Sequence, residues 1–143
     1  MPDAAYDAST KTLADVEFGE ELPEIHPDVG LENVKRFAHA SMMLAPRFTD
    51  HEAAREAGLP GAIVPGIMSQ GILVAMIHRW APNAVVRSVD TIFRAPLIVD
   101  TKPVASAVVT DIDEENGVLE IDLTLRNERG ETPVVGTARV SLA

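Results

Sequence analysis

The sequence predicts a single α+β domain in which an antiparallel sheet wraps around one central helix. The stretch from Gly66 to Trp80 is apolar almost all the way round between Ile72 and Ile77, and a helix with this pattern is normally covered by other structure. Four strand-like segments follow this helix on short turns, and successive strands joined in this way pair antiparallel. One face of such a sheet must be covered, and the Gly66–Trp80 helix is the segment apolar enough to cover it.

Composition narrows the classes of function. The chain has 143 residues, enough for one domain with a real core, and a formal net charge of −10 from 22 acidic and 12 basic residues. This charge argues against a nucleic-acid surface and against adhesion to anionic membranes, both of which need clustered Lys and Arg. The absence of cysteine excludes disulfides, a thiol nucleophile and a zinc–thiolate site. The N-terminus lacks the basic and apolar segments of a secretion signal, so we expect a cytoplasmic protein.

The first part of the chain is predicted to be less regular than the rest. Residues 1–9 are small, polar and acidic, which predicts a flexible N-terminus preceding a domain over residues 10–143. A short strand ending at Gly19 is expected from the apolar residues that precede it. Apolar side chains at helical spacing predict a helix over 31–44, which ends before Pro46 because the residue preceding a proline resists helical geometry.

A second, short helix is predicted to begin at Thr49. Thr49 followed by Glu52 matches a capping box, and Gly58 is a typical C-terminal glycine. Pro65 then stands just before the central helix, where a missing N–H costs nothing.

The strands are predicted at 84–94, 102–112, 117–126 and 133–142. The third is the clearest, because Leu, Ile, Leu and Leu alternate with polar residues from position 119 to 126, the period of a half-buried strand. A single long helix wrapped by a curved antiparallel sheet is the hot-dog fold.

The order of several short segments resembles one family of hot-dog proteins, the MaoC-like hydratases and dehydratases, also called hydratase 2. The segments that carry the resemblance are Val16–Pro23, Phe37–Ser41, Ala57–Gly61, Val64–Met68, Phe93–Leu97 and Asp100–Thr101. Members of this family act on acyl thioesters of coenzyme A or of acyl carrier protein. The resemblance therefore implies an acyl-thioester ligand and no further cofactor.

The chain departs from the family at its catalytic signature, which reads aspartate, any, asparagine, proline, any, histidine, any, aspartate. Aligned through Pro46 and Asp50, the aspartate position holds Met43 and the histidine position holds Phe48. The histidine that usually precedes the first helix glycine is replaced by Pro65. Hydration of a 2-enoyl thioester needs groups that transfer protons, and neither Met nor Phe can do so. We therefore assign no catalytic residue to this chain.

The scaffold that would hold the thioester is retained. The backbone N–H of Gly66 lies at a helix start, where amides are unpaired and the dipole is positive, so it could polarise a thioester carbonyl. The resemblance implies a substrate-binding set of Met43, Phe48, Pro65, Gly66, Ile67 and Arg94. Met43 and Phe48 either line an apolar acyl pocket or pack as core, and Arg94 and Lys102 either meet coenzyme A phosphates or are ordinary surface charges.

Nearby histidines could in principle replace the missing base. His39 lies one turn before the empty aspartate position but is expected to be solvated, and His51 is expected to be an exposed residue in the first turn of the short helix. Asp50 is expected to serve the N-terminus of that helix. Four scattered histidines without paired spacing argue against a metal site.

The leading hypothesis is a MaoC-like subunit without its own dyad, which works beside a catalytic homologue in a 2-enoyl-CoA hydratase. Hot-dog domains normally pair, so a homodimer or a heteromer is expected, with bulky acyl groups such as a steroid side chain or a polyketide as substrates. One alternative is a hot-dog acyl-CoA thioesterase that uses Glu52, Glu56 or Asp50. The other is a non-enzymatic dimer that binds acyl thioesters.

Overall fold

The computed structural model describes residues 10–142. The predicted flexible segment 1–9 lies outside these residues. Three helices precede the sheet: α1 (Leu31–Ala40), α2 (His51–Glu56) and α3 (Gly66–Trp80). Four strands follow: β1 (Val85–Phe93), β2 (Val104–Asp113), β3 (Val118–Arg126) and β4 (Val134–Ser141). Within residues 10–142, no helix is long and apolar enough to cross a membrane.

The four strands form one antiparallel sheet in the order β1-β4-β3-β2, close to the predicted bounds. The alternation predicted for β3 is confirmed, since every second residue from Leu119 to Leu125 is at most 1% exposed. These side chains face Leu73, Met76 and Ile77 of α3, which are buried to the same degree. The sheet therefore packs on the central helix, as the hot-dog fold requires.

One face of α3 is not covered by the sheet. Ile67 is 55% exposed, and Gly71 and Ala75, which follow it at helical spacing, are also exposed. The expectation that the sheet surrounds this helix holds for the buried face only. A narrow stripe of small and apolar residues faces away from the strands.

β1 comes unusually close to β4 at one glycine. A Cβ built on Gly136 would lie 2.5 Å from the backbone oxygen of Asp90 and 3.1 Å from Cγ2 of Thr91. Thr91 is the residue of β1 that pairs with Gly136. Gly136 thus permits a close backbone approach that no side chain would allow, which is a typical use of glycine within a strand.

The predicted strand ending at Gly19 is not present. The chain makes a 3₁₀ turn at Leu13–Asp15, and isolated bridges to β2 follow later, at Glu21 and Ile25. Pro23 stands between these two bridges and has no N–H to donate, so a continuous ladder cannot form there.

The two short helices also differ from prediction at their ends. α1 ends at Ala40 rather than Leu44, because the Ser41 hydroxyl donates to the Phe37 carbonyl at 2.7 Å and Met42 adopts a φ of 60°. The N-cap of α2 is Asp50 rather than Thr49, since its carboxylate accepts from the N–H groups of Glu52 and Ala53 at 2.9 and 3.2 Å. This confirms the expected role of Asp50 at the helix start.

Candidate functional site

A cleft of about 350 Å³ opens beside the first turn of α3, and we call it the helix cleft. Its walls are the start of α3, the end of β1 with the loop that follows, and the start of β4. The lining residues are Ile63, Val64, Gly66, Ser69, Phe93, Arg94, Ala95, Pro96, Leu97 and Val134.

Backbone hydrogen bonds hold these walls together. Val64 N–H donates to the Leu97 carbonyl and Val99 N–H donates to the Ala62 carbonyl, both at 2.8 Å, so the run into α3 pairs with the segment after β1. Arg94 N–H donates to the Pro133 carbonyl at 2.8 Å, which attaches the same segment to the start of β4. These backbone hydrogen bonds therefore hold the start of α3 against the sheet.

The first amides of α3 are free to bind a ligand. Met68 and Ser69 donate to the Pro65 carbonyl at 3.0 and 3.1 Å, but no residue of the described chain accepts a hydrogen bond from the N–H of Gly66 or Ile67. Pro65, the N-cap, offers no side-chain oxygen to satisfy them. Unpaired amides at the positive end of a helix of 15 residues attract an oxygen that carries partial negative charge, such as a thioester carbonyl.

The ring of Phe93 covers this helix start. A Cβ built on Gly66 would lie 3.2 Å from Cζ of Phe93, although the Phe93 side chain is itself 52% exposed. Glycine at position 66 thus allows an aromatic ring to lie directly over the first turn. The sequence pattern did not reveal this contact, because Phe93 and Gly66 are far apart along the chain.

The polar side chains of the helix cleft are Ser69 and Arg94, and its lining contains no His, Asp, Glu, Lys or Tyr. Ser69 is 1% exposed, and among the described residues it is the polar residue that is buried. Ser69 was not predicted as a site residue, although a serine in the first turn of a largely apolar helix could have indicated a polar group at the site. A serine hydroxyl and a guanidinium can donate hydrogen bonds, but neither is a general base near neutral pH.

The structure brings together only part of the predicted site. Gly66 and Arg94 line the helix cleft, whereas Met43 and Phe48 are not among its lining residues. Phe48 is 6% exposed and lies outside the contiguous apolar core, with the Arg47 guanidinium 4.7 Å from its ring centre. Met43 is partly buried.

Pro65 and Ile67 flank Gly66 at the cleft without lining it. Pro65 is buried and Ile67 points outward. The substituted signature segment nevertheless lies beside the cleft, because Ile63 N–H donates to the Arg47 carbonyl at 2.9 Å.

His51 is not the exposed residue that the sequence predicted. Its side chain is 24% exposed, Nδ1 accepts from the Ala62 N–H at 3.0 Å, and Nε2 lies 2.7 Å from Oδ2 of Asp100. Because Nδ1 accepts, Nε2 carries the proton and donates it to the carboxylate. Both ring nitrogens are occupied, so His51 is not a free base, and its role is to hold the run into α3. Gly61 leaves room for the ring, since a Cβ there would lie 2.9 Å from Nδ1.

Asp100 completes this arrangement, which we call the His51 latch and which consists of His51, Ala62, Asp100 and Leu31. Oδ1 of Asp100 accepts from the Leu31 N–H at 2.8 Å, at the start of α1. The hydrogen bond from His51, followed by that from Leu31, lowers the pKa of Asp100 below its ordinary value. Asp100 has a φ of 65°, a left-handed conformation that favours glycine, so the polar contacts accompany an unfavourable backbone geometry.

The remaining candidates do not line the helix cleft. His39, Glu52 and Glu56 are exposed on α1 and α2, and Lys102 is exposed after the segment that follows β1. Within residues 10–142, no group of His, Asp and Glu side chains could hold a metal ion.

Comparison with known structures gives the same fold. The chain is similar to the (R)-hydratase from A. caviae involved in PHA biosynthesis, with a TM-score of 0.84 and 20% identity over 90% of this chain and 98% of that one. It is also similar to the ChsH1-ChsH2 complex from Mycobacterium tuberculosis, with a TM-score of 0.81 and 20% identity over 89% and 98% of the two chains. The HadBC (3R-hydroxyacyl-ACP dehydratase) complex from Mycobacterium tuberculosis gives 0.66 and 19% over 86% and 96%.

Sequence comparison identifies the family. No curated protein gave a significant match. The family model described as the MaoC like domain matches residues 10–128, which is most of the chain. Together with the hot-dog architecture, this match shows that the chain belongs to the MaoC-like family.

Proposed function

We propose that this chain is a MaoC-like subunit that holds an acyl thioester but lacks its own proton-transfer dyad. It would work beside a catalytic homologue in a 2-enoyl-CoA hydratase. The substrate binds with its carbonyl oxygen at the free amides of Gly66 and Ile67, and the homologue supplies the acid and base.

One observation carries this proposal: the helix cleft offers hydrogen-bond donors and no general base. The two free amides, Ser69 and Arg94 can all donate to a thioester oxygen, which supports binding and polarisation. Hydration also requires removal of a proton from water, for which a His or a carboxylate is the usual group. Met43 and Phe48, at the positions of the family's aspartate and histidine, cannot replace it.

The surface beside the cleft supports a partner subunit. β1 is at the end of the sheet, and no described strand pairs with its outer edge, so a row of backbone donors and acceptors is available to another strand. Ile92 and Phe93 on β1 and Ile67 on α3 are between 52% and 61% exposed. Exposed apolar residues next to an unpaired strand are typical of an interface. The similar ChsH1-ChsH2 and HadBC structures are complexes, which supports a heteromer here.

The acyl group is proposed to be bulky, such as a steroid side chain or a polyketide. Apolar Met43 and Phe48 do not line the cleft but replace two polar groups in the segment beside it, which favours an acyl group that is apolar where it extends beyond the cleft lining. The proposal needs no cofactor besides the thioester itself, and a cytoplasmic location is retained from the sequence.

The thioesterase alternative receives less support. It needs a carboxylate at the thioester, but Glu52 and Glu56 do not line the cleft. The carboxylate of Asp50 already accepts two backbone N–H groups at the start of α2. A non-enzymatic dimer that binds acyl thioesters shares the same cleft and differs from the main proposal only in its partner.

Co-expression with a homologue that carries the intact signature tests the proposal. Hydration of crotonyl-CoA and of a larger enoyl-CoA is measured for this chain alone, for the homologue alone and for the pair. We expect no activity above background for this chain alone and a clear rate gain for the pair. As a matched control, a pair whose homologue has lost its signature aspartate and histidine should be inactive.

Two results would contradict the proposal. Hydration by this chain alone at an ordinary enzymatic rate would show that a base exists elsewhere. Failure to associate with the homologue, with no rate gain, would favour the non-enzymatic dimer. Release of free thiol from acyl-CoA by this chain, abolished by Glu52→Ala, would instead support the thioesterase.

A further inference from the structure

The hydroxyl of Ser69 is buried in the fold but makes no hydrogen bond within the described chain. Ser69 is 1% exposed, and its backbone N–H donates to the Pro65 carbonyl at 3.1 Å in the first turn of α3. No side-chain or backbone group of residues 10–142 pairs with its Oγ. A buried hydroxyl without a partner costs stability, and native structures contain few of them. The fold therefore places a hydrogen-bond donor here that it does not use itself.

This hydroxyl faces the helix cleft, which Ser69 lines. Every fully enclosed polar side-chain atom of the described residues has a hydrogen-bond partner, so the unpaired oxygen of Ser69 must be the part of the residue that stays accessible. Val64, Leu97 and Val134 are the buried residues that line the cleft with it, and their side chains offer no acceptor. A molecule that enters the cleft is thus what can pair with the hydroxyl.

The amides at the start of α3 already suffice for a thioester carbonyl. A carbonyl oxygen has two lone pairs, and the unpaired N–H groups of Gly66 and Ile67 can fill both. Ser69 follows Gly66 by three residues, which is about 4.5 Å along the helix axis. Its hydroxyl is therefore left for an oxygen other than that of the carbonyl.

The depth of Ser69 indicates which part of a thioester it meets. Phe93 and Arg94 line the same cleft and are exposed, whereas Ser69 is buried. The carrier of an acyl thioester is large and polar, so it stays at the exposed end and the acyl group enters toward Ser69. One carbon separates the third acyl carbon from the carbonyl carbon. An oxygen on that third carbon thus lies at a distance from the carbonyl oxygen that is comparable with the spacing between Gly66 and Ser69.

We infer that Ser69 is a specificity-determining residue of the helix cleft, whose hydroxyl binds an oxygen on the third carbon of the acyl group. This inference rests on the proposed function, because it assumes that the thioester carbonyl lies at Gly66 and Ile67. A site built to hydrogen-bond a ligand oxygen discriminates against the analogue that lacks it. The chain therefore holds the hydrated, 3-hydroxyacyl form of a thioester more tightly than the enoyl or saturated form.

Calorimetric titration of the full chain with three probes tests the inference. The probes are butyryl-CoA and the two enantiomers of 3-hydroxybutyryl-CoA, which share the carrier and the carbon chain and differ in the added oxygen. We expect one enantiomer to bind about fivefold more tightly than butyryl-CoA, the gain from a single neutral hydrogen bond. The other enantiomer should lack this gain, because its oxygen points away from a donor that is fixed on a helix.

Variants locate the contact. Ser69→Ala should abolish the preference for the 3-hydroxyl and leave the affinity for butyryl-CoA unchanged. Ser106→Ala is the matched control, because Ser106 stands between the buried Ala105 and Ala107 on β2 and so lies on the face of the sheet that points away from α3. This control should retain the full preference.

The ligand-free chain provides a second measurement. Ser69→Ala should raise Tm by about 3 °C, because it removes an unpaired buried hydroxyl and because alanine is favoured over serine within a helix. A fall in Tm would show that the fold itself needs the hydroxyl and would overturn the inference.

The binding outcomes separate the two proposals. Equal affinities of the unchanged chain for all three probes would overturn the role of Ser69 and leave the thioester site in place. A preference that survives in Ser69→Ala would also overturn it, as would an equal loss of affinity for all three probes in that variant, since Ser69 would then bind the carbonyl. Absence of binding by every probe would overturn the proposed function together with this inference.

Discussion

The close approach of β1 to β4 at Gly136 leads to a prediction whose sign depends on geometry alone. In Gly136→Ala the new methyl group would start 2.5 Å from the Asp90 oxygen, so β1 must withdraw by roughly 1 Å to reach ordinary van der Waals contact. Overpacking of this kind costs about 1–3 kcal/mol, and weakening of the neighbouring backbone hydrogen bonds adds about 1 kcal/mol. We expect the free energy of unfolding to fall by about 2–4 kcal/mol.

The matched control is the same substitution at Gly71. A Cβ there has no atom within 4 Å, and Gly71 lies inside α3, where alanine is favoured over glycine by up to about 1 kcal/mol. Gly71→Ala should therefore stabilise the chain. Both variants are measured by urea denaturation followed by circular dichroism. Equal stability of Gly136→Ala and the unchanged chain would refute the reasoning, as would a loss of stability in Gly71→Ala.

Three further predictions concern the latch and the cleft. Asp100→Asn should lower Tm by about 3 °C, because an amide has one oxygen and cannot accept from both His51 and Leu31. The control Asp90→Asn should leave Tm unchanged. Equal shifts of Tm in the two variants would contradict the His51 latch. Since the pKa of Asp100 is lowered on folding, its carboxylate stabilises the fold above the ordinary pKa of 3.8 and loses this effect as pH falls through the lower folded value. The Tm difference between the unchanged chain and Asp100→Asn should thus be full at neutral pH and shrink below about pH 4, and a constant difference would count against the assignment. Gly66→Ala should place a methyl group 3.2 Å from the Phe93 ring and weaken acyl-CoA binding about fivefold in calorimetry. The loss of Tm should be small, because the half-exposed Phe93 ring can move aside. Unchanged affinity would show that the thioester does not bind in the helix cleft.

The parts of the fold that the sequence predicted well are those set by local periodicity. Alternation between Leu119 and Leu125 defined β3, and the apolar run after Pro65 defined α3, because both patterns follow from burial of one face. Helix ends were less predictable. Thr49 and Asp50 are both acceptable N-cap residues, and only the observed hydrogen bonds show that Asp50 is the cap.

Long-range contacts account for what the sequence did not reveal at the site. Asp100 lies 49 residues from His51 and 69 from Leu31, so no local pattern predicts that one carboxylate joins the starts of α1 and α2. The contact of Phe93 with Gly66 has the same origin. Substitution of the signature by Met43 and Phe48 was visible in the sequence, whereas the absence of a base from the cleft lining required the structure.

The helix cleft has no base in its lining and lies next to an unpaired strand, so the proposed function has a consequence for how activity would respond to protein concentration. If the acid and base reside on another polypeptide, specific activity falls on dilution once the subunits dissociate, although each remains folded. An excess of this chain over its partner would then sequester thioesters without converting them, so the ratio of the two polypeptides would set the flux.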